Sequence, residues 1–247
     1  MADQLSLRLE SDPAGWPAPI YPMLAQPAEA PFDDPDHLFE PWWGGERALA
    51  YIGGEDLGLR LVSADGVLLT ERVAEVADLG ARLGGRQAIL DGTLVAVDAS
   101  GRLDAAGLAA RLDGQPGPGL AYLVYDLLAL DGRPLVAEPL ERRRARLGRL
   151  LSPSPSIVLV PMIAGEGRAL CAAAAAQGVG WVLARDRRSP YLAGVRSSLW
   201  RLIPVHPEAL GAAPGAGADQ GDAPREEPGG SPILALIRRL PLDDSGA

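Results

Sequence analysis

Leu120-Ala-Tyr-Leu-Val-Tyr-Asp-Leu-Leu-Ala-Leu130, closed by Asp131-Gly132, is the most apolar run in the chain. So apolar a segment, ended by a turn dipeptide, reads as a strand. Working outward, Ala88-Ile-Leu90 and Leu94-Val-Ala-Val97 read as buried strand on either side of Asp91-Gly92. Ala48-Leu-Ala-Tyr-Ile52 and Leu57-Gly-Leu-Arg-Leu-Val62 read as a hairpin turned at Gly53-Gly54. Ile157 to Val160, Val179 to Ala184 and Trp200 to Val205 supply further strands.

Helical spacing is found in fewer places. Thr70 is placed to cap a helix carrying Val73, Val76, Leu79 and Leu83, which Gly84-Gly85 stops. A short helix holds Leu108 and Leu112. Pro139 opens another from Leu140 to Leu151, whose Arg142, Arg143, Arg144, Arg146 and Arg149 offer either a basic face or a solvated surface. Gly167 to Gln177 is the last, with Cys171 expected as a small packed side chain. Strands interleaved with a few helices, without regular βαβ spacing, give the α+β class with antiparallel sheets.

Composition narrows the chemistry. All 23 basic side chains are arginine and none is lysine; 32 acids leave a formal charge of −9. An acidic whole predicts weak or absent DNA binding, since affinity for phosphates comes from cations. One cysteine excludes an intrachain disulfide and fits a reducing compartment. His37 and His206 are too far apart to suggest a local metal motif, and no metal is expected. No apolar span suggests a membrane segment, so a cytoplasmic protein is expected.

Residues 1–20, rich in proline, are expected to form an arm, and 21–207 a single domain. Residues 208–230 read as a Pro/Gly/Ala linker too poor in large apolar side chains to order itself. The short amphipathic tail 231–247 either docks back on the body or serves as a peptide for a partner.

Several segments, in order and spacing, resemble the adenylation (nucleotidyltransferase) domain of ATP-dependent DNA ligases, closest to the bacterial end-joining type. Pro22-Met-Leu-Ala25, Phe32-Asp-Asp-Pro35 and Leu38-Phe-Glu-Pro41 resemble its approach to the nucleophile. Tyr122 to Gly132 and Ser189-Pro-Tyr-Leu-Ala-Gly-Val-Arg-Ser-Ser-Leu-Trp200 resemble two later signatures. The resemblance implies two antiparallel sheets with flanking helices around a nucleotide groove. The 43 residues after Pro204 are too few for the oligonucleotide-binding barrel of active ligases, so none is expected.

The family's nucleophile motif, Glu-Pro-Lys-x-Asp-Gly-x-Arg, is here Glu40-Pro41-Trp42-Trp43-Gly44-Gly45-Glu46-Arg47. Trp42 thus stands where the family has its lysine and Gly44 where it has aspartate. Neither tryptophan nor arginine offers an amine that attacks phosphorus at neutral pH. The family's Asp-Gly-Glu is Asp91-Gly92-Thr93, its Ser-Arg-x-Gly is Ser63-Ala64-Asp65-Gly66, and its last lysines are replaced around Trp200-Arg201.

By the same resemblance, Glu40 matches the adenine-recognising residue, Tyr125 the ring that stacks on the base, and Arg47 a ribose-side contact. Arg185 stands at a phosphate-binding lysine. The alternative is that Glu40 and Arg47 make structural hydrogen bonds and Tyr125 is core. Trp42 is expected to pack near Tyr125 or Val182-Leu-Ala184 while the groove stays open at Glu40. No catalytic residue is assigned and no cofactor is required, with weak binding of adenosine or ATP left open. The functions implied are a catalytically inactive ligase-like protein with a binding or scaffold role, linked to DNA repair and an unknown protein partner. The alternative is an ATP-binding nucleotidyltransferase that works without a covalent lysyl-AMP.

Overall fold

The computed structural model describes residues 20–53, 58–98 and 102–205. The expectations for the N-terminal arm, the 208–230 linker, the 231–247 tail and His206 lie outside these residues, apart from Ile20, the last residue of the arm.

Two sheets carry the fold. The larger has the order β4(Leu59–Ser63), β3(Glu46–Gly53), β5(Gln87–Val97), β6(Gly119–Leu130), β7(Arg133–Pro134), with β8(Ile157–Leu159) also on β6. The smaller has the order β1(Leu24–Pro27), β11(Arg196–Pro204), β10(Trp181–Asp186), β2(Asp34–Pro41), β9(Ile163–Gly165). Pairing is antiparallel except at β1/β11 and β6/β8, which are parallel. The helices are α1(Leu79–Arg82), α2(Ala105–Leu112), α3(Leu140–Leu150) and α4(Gly167–Ala175).

The 120–130 run lies inside the large sheet, between β5 and the side carrying β7 and β8, and the expected Asp131-Gly132 turn follows it, at φ 47° and 73°. The segments on either side of Asp91-Gly92 are one continuous strand, because Gly92 lies flat against β6: a Cβ there would sit 2.5 Å from the Leu123 carbonyl oxygen and 2.6 Å from the Tyr122 ring. The absence of a side chain permits that approach.

Corrections to the helix reading have local causes. Between Thr70 and Arg82 the chain makes two single 3₁₀ turns and then four-residue α1 instead of one helix. Val73, at φ −130° and ψ 65°, interrupts it, and the Thr70 hydroxyl accepts from the Leu61 amide of β4 instead of capping. The apolar spacing still holds, since Val73, Val76, Leu79 and Leu83 are all buried in the core behind the large sheet. Tertiary burial overrode the regular helix.

That rear core takes in α2 through Leu108 and α3 through Leu147, with Leu151 just past the end of α3. The small sheet has its own rear core, where Phe39, Val182, Ala184 and Ile203 meet Leu170, Cys171 and Ala174 of α4. Cys171 is packed as expected, and burial pushes its thiol up to about 11. Between the sheets, Leu49, Tyr51, Ile89 and Leu128 of one meet Met23, Tyr191 and Trp200 from the other side. Strand alternation therefore aims one face of each sheet at a common groove.

Candidate functional site

Register decides which side chains enter the groove. In the small sheet, Leu183 pairs with Glu40 and Arg185 with both Leu38 and Trp200. Directly paired residues share a face, so Glu40, Arg185 and Trp200 all point away from the α4 side. In the large sheet, Arg47 pairs with Thr93 and Leu49 with Asp91, which puts Arg47, Asp91 and Thr93 on the opposing wall. Tyr125 comes from β6, in a cluster with Trp43, Val95, Leu123 and Val160.

The four residues singled out from the sequence are thus brought together. Arg185 and Glu40 form an ion pair, at 0 % and 1 % exposure. The Arg185 guanidinium also lies 4.3 Å from the centroid of the Trp200 ring and 5.0 Å from that of Tyr125. Arg47 approaches the same rings at 5.3 Å from Tyr125 and 6.0 Å from Trp200. Two guanidiniums held over two aromatic rings in a dry site gain about 0.5–2 kcal/mol per contact.

The two cations are held in different ways. Arg47 donates two hydrogen bonds to Asp91, at 2.6 and 2.5 Å, and Tyr191 donates to the same carboxylate at 2.9 Å. Burial works against the Arg47 charge, but Asp91 outweighs it and raises the pKa. Arg185 has no such fork. Its contact with Glu40 lacks hydrogen-bond geometry, so Nε, Nη1 and Nη2 of Arg185 and both Glu40 oxygens make no hydrogen bond. Burial raises the Glu40 pKa, against the lowering pull of Arg185, Arg144 and Arg47. Tyr125 is shifted up as well, by burial and then by Glu40.

The expected Trp42 plug is corrected. Trp43, one residue on, is the ring buried beside Tyr125; Trp42 is half-buried, and its ring lies 3.6 Å from where a Gly44 Cβ would stand. The cause is the turn between β2 and β3. Gly44 and Gly45 adopt φ 64° and 81°, and a Cβ on Gly45 would lie 2.1 Å from the Leu94 carbonyl oxygen. Thr93, standing at the family's glutamate, donates its hydroxyl to the Gly44 carbonyl at 3.0 Å and pins that turn. The expected opening at Glu40 is corrected too, since Arg185 covers that carboxylate.

The five-arginine face on α3 is divided. Arg143 is wholly buried and donates to both Asp126 oxygens, at 2.9 and 2.7 Å. Arg144 donates to the carbonyls of Tyr125 (2.7 Å) and Val160, tying the strand that carries Tyr125 to its neighbours. Burial lowers its pKa. The signal for this was present: Leu140, Leu147 and Leu151 mark a buried stripe, and positions 143 and 144 fall on it at helical spacing. Arg201, where the family has one of its last lysines, follows Trp200 and so points to the α4 side of β11. His37 meets Asp34 at 3.0 Å. Among the described residues, no three His, Cys, Asp or Glu side chains are grouped to hold a metal, and no helix is long and apolar enough to cross a membrane.

Residues 22–202 match the family described as the ATP dependent DNA ligase domain. The chain is 32% identical over 183 residues to the multifunctional non-homologous end joining protein LigD of Pseudomonas aeruginosa, covering 73% of this chain and 21% of that protein. To a probable DNA ligase of Streptomyces coelicolor it is 29% identical over 206 residues, 76% of this chain and 40% of the relative. The chain thus spans well under half the length of both. The ligase domain of M. tuberculosis LigD has a similar structure, with a TM-score of 0.63 and 26% identity over 75% of this chain and 59% of that one.

Proposed function

Since the chain belongs to the ATP-dependent DNA ligase family, we propose that it is a catalytically inactive member whose nucleotidyltransferase domain serves as a binding or scaffold module, linked to DNA repair. The observation that carries this reading is the seat of Arg185. Its guanidinium lies over Tyr125, the ring matched to adenine stacking, and engages Glu40, the residue matched to adenine recognition. A side chain of the protein itself holds both base-recognising groups.

The nucleophile position supports the same reading. Trp42 stands at the lysine, and no lysine occurs anywhere in the chain. Formation of a lysyl-AMP bond needs a neutral amine, attack on the α-phosphorus and departure of pyrophosphate. Tryptophan supplies no such lone pair, and a guanidinium stays protonated. The alternative of a noncovalent transfer requires ATP to displace Arg185 from Glu40, which leaves a buried carboxylate without its cation.

The link to repair rests on the relatives, among them an end joining protein. Two measurements test the proposal. Incubation with radiolabelled ATP and Mg²⁺ should leave no acid-stable label on the protein; a labelled band surviving denaturation overturns the inactive reading. Calorimetric titration with adenosine, AMP and ATP, each with and without Mg²⁺, should show no preference for Mg²⁺-ATP over adenosine. A clear Mg²⁺-dependent preference for ATP would favour the enzyme instead.

A further inference from the structure

On the side of the large sheet facing away from the groove, the β6–β7 turn and the end of α3 enclose a concavity of about 390 Å³. Leu130, Leu135 and Leu150 supply its apolar lining, and Arg86, Arg133, Arg146 and Arg149 its polar lining, with Asp131 as the one acid. The local structure gathers these charges. The Asp131-Gly132 turn folds Arg133 back to pair with Leu130. Arg142, Arg146 and Arg149 recur at helical spacing on α3, and Arg86 arrives from the loop before β5.

The charge is only partly compensated. Arg86 donates to Asp131 at 3.0 Å, and Arg146 meets Glu138 at 3.1 Å. Both pairs are partly exposed, and such pairs hold their partners weakly. Arg133 and Arg149 have no carboxylate within ion-pair distance among the described residues. A chain with a formal charge of −9 therefore presents four guanidiniums around one concavity.

We propose that this concavity is a binding site for a small phosphate anion, a diphosphate group free or carried by a molecule of about nucleotide size. Planar guanidiniums match phosphate oxygens in pairs, and the volume falls within the usual range for small-ligand sites. A compact anion lies wholly inside the local positive field. A nucleic-acid strand would extend from it over the acidic remainder of the surface, where its phosphates are repelled. The site is separate from the inter-sheet groove and does not depend on how that groove is read.

Calorimetric titration of the full chain with inorganic pyrophosphate tests the assignment, using wild type, R133A/R149A, R133K/R149K and R142A. One site is expected in the wild type. The double alanine variant should weaken binding by about tenfold or more, the equivalent of one lost charge-assisted pair. The double lysine variant should lose less, and R142A, on the same helix outside the lining, should stay within about twofold of wild type. All the altered side chains are exposed, so unchanged urea midpoints establish that the variants are folded. Absence of pyrophosphate binding, equal loss in R142A, or an R133A/R149A affinity within twofold of wild type overturns the proposal. A short single-stranded oligonucleotide without terminal phosphates should not displace pyrophosphate; tighter binding of that strand would also overturn it.

Discussion

Replacing Arg185 by methionine removes the cation paired with Glu40 while keeping most of the side-chain length. Both partners are buried, so the variant leaves a carboxylate in a dry cluster with none of its oxygens hydrogen-bonded. Breaking a buried pair from one side costs about 3–5 kcal/mol. Exchanging both members for apolar residues removes the desolvated charges together, so Glu40→Met/Arg185→Met should lie within about 1 kcal/mol of wild type. Urea unfolding of wild type, both single variants and the double variant at neutral pH completes the cycle. A loss under about 1 kcal/mol for R185M, or a double variant that loses the sum of the two singles, refutes the coupling.

The pH dependence supplies a second readout of the same variant. Burial raises the Glu40 pKa in the folded protein above its ordinary 4.5. The folded state therefore binds the proton more tightly than the unfolded state. That contribution to stability is fully present below the unfolded pKa and is lost as pH rises through the folded one. Removing Arg185 removes a lowering influence and moves the upper end of that window higher. The deficit of R185M relative to wild type should therefore shrink as pH falls from neutral toward 4.5. A deficit that is constant or grows on acidification contradicts the assignment.

Two further outcomes are expected. Trp42→Lys, which restores the family's nucleophile at its own position, should still leave no acid-stable label after incubation with ATP and Mg²⁺. Arg185 would still cover Glu40 and Tyr125, and Gly44 and Thr93 would still lack the family's carboxylates; a labelled band would show that one substitution suffices. Gly92→Ala should lower stability by about 1–3 kcal/mol, measured as a shift in urea midpoint, because the new methyl meets the Leu123 carbonyl and the Tyr122 ring. An unchanged midpoint would mean that β5 and β6 separate there at no cost.

Strands that are hydrophobic throughout are legible in the amino-acid sequence. The 119–130 strand, the apolar halves of its neighbour 87–97 and the 46–53/59–63 pair announce themselves through runs rich in apolar residues, because most of their side chains are covered. The strand Asp34–Pro41 carries no such signal. Its sequence, Asp-Pro-Asp-His-Leu-Phe-Glu-Pro, is polar at one end, and its buried end carries the glutamate of the groove. A strand that delivers a charge to a site necessarily departs from apolar periodicity.

Composition alone excludes lysine chemistry, and it is the resemblance to the ligase family that sets Trp42 at the nucleophile position and marks Glu40, Arg47, Tyr125 and Arg185 as one site. What those residues do to one another is settled by tertiary pairing. Arg185 turns onto Glu40 and Trp200 because register places all three on the groove face of the small sheet, whereas Arg47 is held by Asp91 of its own sheet, a carboxylate that also accepts from Tyr191. Trp43, not Trp42, enters the core because two left-handed glycines set the turn that follows. Partner choice among buried charges depends on which strands are neighbours and on which face each side chain emerges, and both are properties of pairing between segments far apart in the chain.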